Sequence, residues 1–126
     1  MKSMLIIDGS EIVTTLFSEI FQRKGWKVTV CEDGDCAMDR LVSIERYDVV
    51  LLGYRVRGTH GVQLVRFIRA LEHRTTTAVI MVTGSAEVTD EALAAGADEV
   101  LLKPINPNTL VWVVEKHVRA VAEHGS

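Results

Sequence analysis

Three short apolar runs in this chain each end on a side chain with chemistry to offer. Asp8 follows Met4-Leu5-Ile6-Ile7, Thr83 follows Ala78-Val79-Ile80-Met81-Val82, and Lys103 follows Val100-Leu101-Leu102. A carboxylate, a hydroxyl and an ammonium held together can grip a small oxyanion, or the two charges can close on each other as an ion pair. A fourth run, Val49-Val50-Leu51-Leu52, ends on Gly53, which brings no side chain at all. What these positions can do depends on the elements that carry them.

The four runs are continuous rather than alternating, the pattern of strands covered on both faces of a parallel sheet. Lys27-Val28-Thr29-Val30 alternates instead, as an edge strand does. Helical spacing fills the intervals. Ser10 caps a first helix with Ile12, Val13, Leu16, Phe17, Ile20 and Phe21 inward, stopped by Gly25. A second is expected over 35–44 with Ala37, Met38, Leu41 and Val42 inward. A third carries Val62, Leu64, Val65, Ile68 and Leu71, and a short fourth spans 87–95. The last starts near Pro107 and turns Leu110, Val113, Val114, Val118 and Val121 inward. Alternating strands and helices with right-handed crossovers give an α/β, doubly wound, five-stranded parallel sheet. In such sheets ligands sit outside the carboxyl ends of the strands, so Asp8, Gly53, Thr83 and Lys103 should converge on one site.

The bulk numbers bound the function. A chain of 126 residues, 48% hydrophobic and 25% charged, is one ordinary globular domain. Its net charge of −3 excludes nucleic acid as a default partner of this domain. No apolar stretch reaches the ~20 residues of a membrane span, and Met1-Lys2-Ser3 leads into too short a run for a signal peptide, so a cytoplasmic setting is expected. Cys31 and Cys36 fit neither a disulfide framework nor a zinc pattern and are expected as small apolar packers in a reduced setting. His60, His73, His117 and His124 show no ligand spacing, so neither a metal nor a cofactor is expected.

The ordered set of strand ends resembles a response-regulator receiver domain of two-component signalling, and the resemblance covers essentially the whole chain. Ile6-Ile7-Asp8-Gly9 resembles the family's acidic pair with its second member lost. Glu32-Asp33-Gly34 resembles the opening of the second helix, Val82-Thr83-Gly84 the hydroxyl-bearing strand end, and Ala94-Ala95-Gly96-Ala97-Asp98 with Leu102-Lys103-Pro104 the segment through the family's lysine. The resemblance implies a flavodoxin-like receiver fold with strand order 2-1-3-4-5. It also implies that Gly53 stands where the phosphoacceptor aspartate should be. Gly9 withholds a magnesium ligand, the aromatic switch position is Val100, and Arg57 replaces the loop proline. The stretch from Thr83 to Gly96 is shorter than is usual in the family.

These departures point to a pseudo-receiver: a non-enzymatic signalling module that works by protein–protein contact, independent of aspartyl phosphorylation. Asp8, Gly9, Thr83 and Lys103 form its remnant pocket, in which Asp8 is expected to pair with Lys103. A sharper expectation folds Arg55 or Arg57 over Asp8 as a substitute for the metal; the alternative leaves both in water. Val111 and Trp112 fall outside the inward stripe of the last helix, and the expectation is an interface, with Asp98, Glu99, Lys116 and Arg119 as its charged rim. The partners expected are an output domain, a kinase or another regulator, and a second copy through the face of the fourth helix, fifth strand and fifth helix. One receiver-like domain is expected over 1–126, with room for an output domain beyond Ser126. Two alternatives stand beside this reading: a sensor that binds a small anion in the vacated pocket, and a receiver phosphorylated at an unusual site.

Overall fold

A computed structural model describes residues 1–124, with side chains through Arg119; the side chains of Val121 and His124, and Ser126, lie outside the described residues. The elements run β1 (Ser3–Ile7), α1 (Glu11–Gln22), β2 (Lys27–Cys31), α2 (Gly34–Val42), β3 (Val49–Leu52), then the two-residue strands β4 (Arg55–Val56) and β5 (Thr59–His60). They continue with α3 (Gly61–Ala70), β6 (Ala78–Thr83), α4 (Thr89–Ala95), β7 (Glu99–Leu102) and α5 (Pro107–His124).

The five long strands form one parallel sheet in the order β2-β1-β3-β6-β7. This is the doubly wound arrangement expected, with the reversal of strand order between β1 and β3. Alternate residues of each central strand enter opposite cores. Leu5, Ile7, Val50, Leu52, Val79 and Met81 meet α2, α3 and α4, whereas Met4, Ile6, Val49, Leu51 and Ile80 meet α1 and α5. Covered on both faces, β1, β3 and β6 are apolar except at two ends, where Ser3 and Thr83 sit, and each buried Leu, Ile or Val contributes about 1.5–3 kcal/mol. Trp26 closes the lower end of one core, edge-on to Phe21 at 5.8 Å.

Several sequence expectations need correction. β7 is the edge strand that the expected order makes it, but it is not covered on both faces: Val100 and Leu101 are half-buried while Leu102 is exposed. Ile12 is 82% exposed and Leu16 is also exposed, because the row that meets the sheet is Thr14, Phe17 and Phe21 at helical spacing and the other two lie on its flank. Val42 is exposed because α2 ends there: Ser43 turns extended. Buried Arg74 then takes the freed carbonyls, donating from Nε to Leu41 at 2.9 Å and from its terminal nitrogen to Ser43 at 2.9 Å and Arg40 at 3.3 Å. Those bonds and the Tyr47 ring 5.0 Å away are what let a guanidinium lie inside, although burial pushes its pKa down. The helix expected over 87–95 is α4 alone, preceded by a tight 3-10 turn at Ala86–Val88 and ended by Gly96, whose φ of 119° suits a residue without Cβ.

Candidate functional site

The carboxyl ends of β1, β6 and β7 bring Asp8, Thr83 and Lys103 to one cleft of about 890 Å³, rimmed by Tyr54, Arg55 and Ser85, while Gly53, just after β3, lies buried against the Asp8 side chain. Asp8 is only 5% exposed. Its Oδ1 accepts the Ser10 amide at 2.9 Å, and its Oδ2 accepts Lys103 Nζ at 3.3 Å. A buried carboxylate is costly unless its charge and lone pairs are met. Here one backbone N–H and one ammonium meet them. Lys103 is placed for this by its own amide, which donates to the Thr83 carbonyl at 2.8 Å. Thr83 is buried, and its Oγ1 accepts the Ser85 amide at 3.1 Å, so the hydroxyl oxygen serves the turn after β6.

Neither Gly53 nor Gly9 has free space beside it for a side chain. A Cβ built on Gly53 would overlap Asp8 Oδ2 and stand 2.9 Å from Asp8 Cγ. A Cβ on Gly9 would stand 2.9 Å from the Arg55 carbonyl, which already accepts the Gly9 amide at 2.9 Å. Real Cβ atoms do not approach other heavy atoms so closely, so either side chain requires a neighbour to move. At Gly9 that neighbour is backbone.

The arginine expectation is overturned. Neither Arg55 nor Arg57 pairs with Asp8; Arg57 reaches Glu32 instead, at 3.9 Å, and Arg55 is exposed with no ion pair among the described residues. In the short β4–β5 ladder, Val56 is the buried residue, so alternation turns its two neighbours outward. The cation beside Asp8 is Lys103. Tyr54 lines the cleft and lies against His60, ring centroids 5.3 Å apart, while His60 Nδ1 accepts the Gln63 amide at the start of α3. Val100 packs half-buried against the core beneath α3 and α4.

On α5 the expected pair separates. Val111 is 8% exposed and belongs to the core with Leu110 and Val114, so it is no surface residue: the apolar stripe is one position wider than the 3.6-residue spacing allowed. Trp112 is 62% exposed, with Lys116 Nζ 4.7 Å above its ring and that same ammonium 3.8 Å from Glu99 of β7. His117 Nε2 also meets Glu99, at 3.0 Å. Asp98 leaves the expected rim: its carboxylate accepts the Val79 amide at 2.8 Å and Arg69 at 3.0 Å, fastening β7 to β6 and α3. Cys31 packs in the core as expected, but it is joined to Cys36 in a disulfide, which corrects the expectation of two separate packers.

Two partners escaped the sequence reading although a signal for each was there. In Asp8-Gly9-Ser10 and Thr83-Gly84-Ser85 a short polar side chain takes the amide two residues on, the turn-forming habit of Asp and Thr. The β4–β5 ladder has no such signal, being only two residue pairs long. Among the described residues no group of three or more His, Cys, Asp or Glu could hold a metal ion. No helix described is long and apolar enough to cross a membrane.

Comparison with known proteins agrees with this geometry. The family description "Response regulator receiver domain" matches residues 4–115. The transcriptional regulatory protein CpxR of Escherichia coli is 32% identical over 113 residues, 88% of this chain and 47% of that one. Protein PetR of Rhodobacter capsulatus is 30% identical over 122 residues, 95% and 50%. The chain thus spans about half the length of these curated relatives. A chemotaxis response regulator of Vibrio cholerae superposes with a TM-score of 0.86 at 27% identity, covering 93% of this chain and 98% of that one. The receiver domain of a Pseudomonas aeruginosa sensor histidine kinase, solved with a magnesium ion coordinated in its active site cleft, gives 0.84 at 25% identity, covering 93% and 97%.

Proposed function

The chain belongs to the response regulator receiver domain family, and from that premise we propose that this member is a pseudo-receiver, signalling through protein contacts without aspartyl phosphorylation. The observation that carries the reading is the place of Asp8 over Gly53. Phosphoryl transfer to a carboxylate needs an in-line nucleophile and a cation that neutralises the charge building on the transferred group. Gly53 supplies no nucleophile, and the one acid of the cleft is held by Lys103 and the Ser10 amide. Magnesium favours several oxygen ligands in near-octahedral geometry, and a single carboxylate already paired with an ammonium is a poor start for that shell. The Pseudomonas receiver domain holds a magnesium ion in its active site cleft, whereas here the family resemblance puts Gly9 and Gly53 at two of the positions from which carboxylates would hold such an ion.

The domain then acts by what it touches. Trp112 on the β7–α5 side is the anchor of a contact with a second copy or with a protein partner, since a large aromatic left in water is costly and aromatic anchors dominate interfaces. CpxR and its like are named as transcriptional regulators, so an output domain, in this protein or another, is the partner class this family membership favours. The anion-sensor reading is weaker: Lys103, its main cation, is paired with Asp8.

The test is incubation with acetyl phosphate and magnesium, followed by intact mass. No added phosphoryl group is expected. A stoichiometric, magnesium-dependent adduct would overturn the proposal and revive phosphorylation at an unusual site, with Asp8 as the first residue to replace.

A further inference from the structure

The disulfide between Cys31 and Cys36 closes a loop around the segment that holds the rim of the cleft. Cys31 ends β2, lies in the core at 2% exposure, and its carbonyl accepts the Asp8 amide at 3.1 Å. Cys36 sits half-buried in the first turn of α2, its amide donating to the Asp33 carboxylate at 2.8 Å. Their α-carbons are 5.6 Å apart, an ordinary separation for bonded cysteines. Between them the chain makes its contacts with the β4–β5 ladder. The Gly34 amide donates to the Arg57 carbonyl at 2.8 Å, and the Arg57 amide to the Glu32 carbonyl at 3.4 Å. The Glu32 carboxylate meets the Arg57 guanidinium, and a Cβ on Gly34 would stand 2.7 Å from Thr59 Cγ2. The Arg55 carbonyl of the ladder in turn accepts the Gly9 amide, beside Asp8.

We propose that Cys31 and Cys36 are a reversible dithiol–disulfide couple whose state sets how firmly the β4–β5 rim is held over the cleft. The chemistry needs a small-molecule disulfide such as oxidised glutathione. The Cys36 thiolate, the member that solvent reaches, attacks one sulfur of that disulfide; a mixed disulfide forms and one glutathione thiolate leaves. The Cys31 thiolate then attacks the Cys36 sulfur and releases the second glutathione. Two cysteine thiols are oxidised, one glutathione disulfide is reduced to two thiols, and the two protons end on the departing thiols. A bond that solvent reaches at its Cys36 end and that closes so short a loop is the kind that exchanges, and a domain with this core has no need of a staple.

Intact mass and amide NMR of the full chain, equilibrated with reduced or oxidised glutathione, test it. The oxidised protein should lose two hydrogens, recover them on reduction, and shift the amides of Gly34, Arg57 and His60 reversibly. Amide exchange at Gly34 and Arg57 should slow by on the order of tenfold on oxidation, the modest effect expected from closing a short loop. Cys36→Ser, which leaves buried Cys31 in place, should hold the reduced spectrum under both conditions. Only a mixed disulfide at Cys36, or shifts confined to the residues flanking the two cysteines with the β4–β5 amides silent, would overturn the proposal. Neither result bears on phosphorylation, so the two proposals stand or fall separately.

Discussion

Asp8 lies over Gly53 so closely that a Cβ on the glycine would overlap its carboxylate oxygen, with Cγ 2.9 Å away. The strand end that gives up its side chain and the strand end that keeps one therefore share a single space. Lys103 seals the arrangement from above at 3.3 Å.

Gly53→Asp is expected to fail as a repair. The new side chain must displace Asp8 from Lys103 and from the Ser10 amide, and overpacking of a buried site costs about 1–3 kcal/mol. Gly9 still withholds a ligand. Chemical denaturation should show the loss of stability, and acetyl phosphate with magnesium should give no stable phosphoprotein; robust labelling of this single variant contradicts the account of the site.

The Asp8–Lys103 pair should respond unequally to removal of its two ends. Lys103→Met leaves a buried carboxylate with one amide for company and should cost about 2 kcal/mol. Asp8→Asn keeps an oxygen for Ser10 and frees an ammonium that is already a third exposed, so it should cost under ~1 kcal/mol. Urea unfolding of the two variants decides it; equal losses would mean the pair is not held as described.

Trp112→Ala should leave the fold within about 1 kcal/mol of wild type, because the ring is mostly in water, with the Lys116 ammonium 4.7 Å over it. Sedimentation and pull-down should show weaker self-association or partner binding. A large drop in thermal stability instead would make Trp112 part of the core and end the interface argument.

Burial, and then the hydrogen bond from its hydroxyl to Glu45, push the pKa of Tyr47 up from its ordinary value. A group whose folded pKa exceeds its unfolded one binds its proton more tightly when folded. Its contribution is therefore complete below about pH 10 and is lost as pH rises from there through the folded pKa. Thermal unfolding between neutral and strongly alkaline pH should show a steeper alkaline loss for wild type than for Tyr47→Phe; parallel curves would contradict this.

The layout of the fold was legible because a doubly covered strand must be apolar throughout, and β1, β3 and β6 announce themselves that way. Burial at an edge is harder: the expected order puts β7 at the rim of the sheet, yet Val100-Leu101-Leu102 is apolar throughout like an interior strand while one of its faces is half-wet. The convergence of Asp8 and Lys103 followed from strand ends meeting at one side of the sheet. Between the two readings of Arg55 and Arg57 the sequence did not choose, since a two-residue ladder, invisible in hydrophobic period, decides where they point. Val111 was misplaced for a related reason. A helix stripe has flanks, and which flank is buried depends on the neighbouring helix as much as on spacing. The Cys31–Cys36 bond depends on the turn between β2 and α2, which composition alone does not describe.

The central claim is that Asp8 and Lys103 satisfy each other and that the cleft they line handles neither magnesium nor a phosphoryl group. An amide NMR titration with magnesium, followed by beryllofluoride as the phosphoryl mimic, tests it most directly. Amides of Asp8, Gly53, Thr83 and Lys103 that stay put through both additions are the result predicted. Saturable shifts centred on those residues would contradict it and show a pocket that still takes up a cation or an anion.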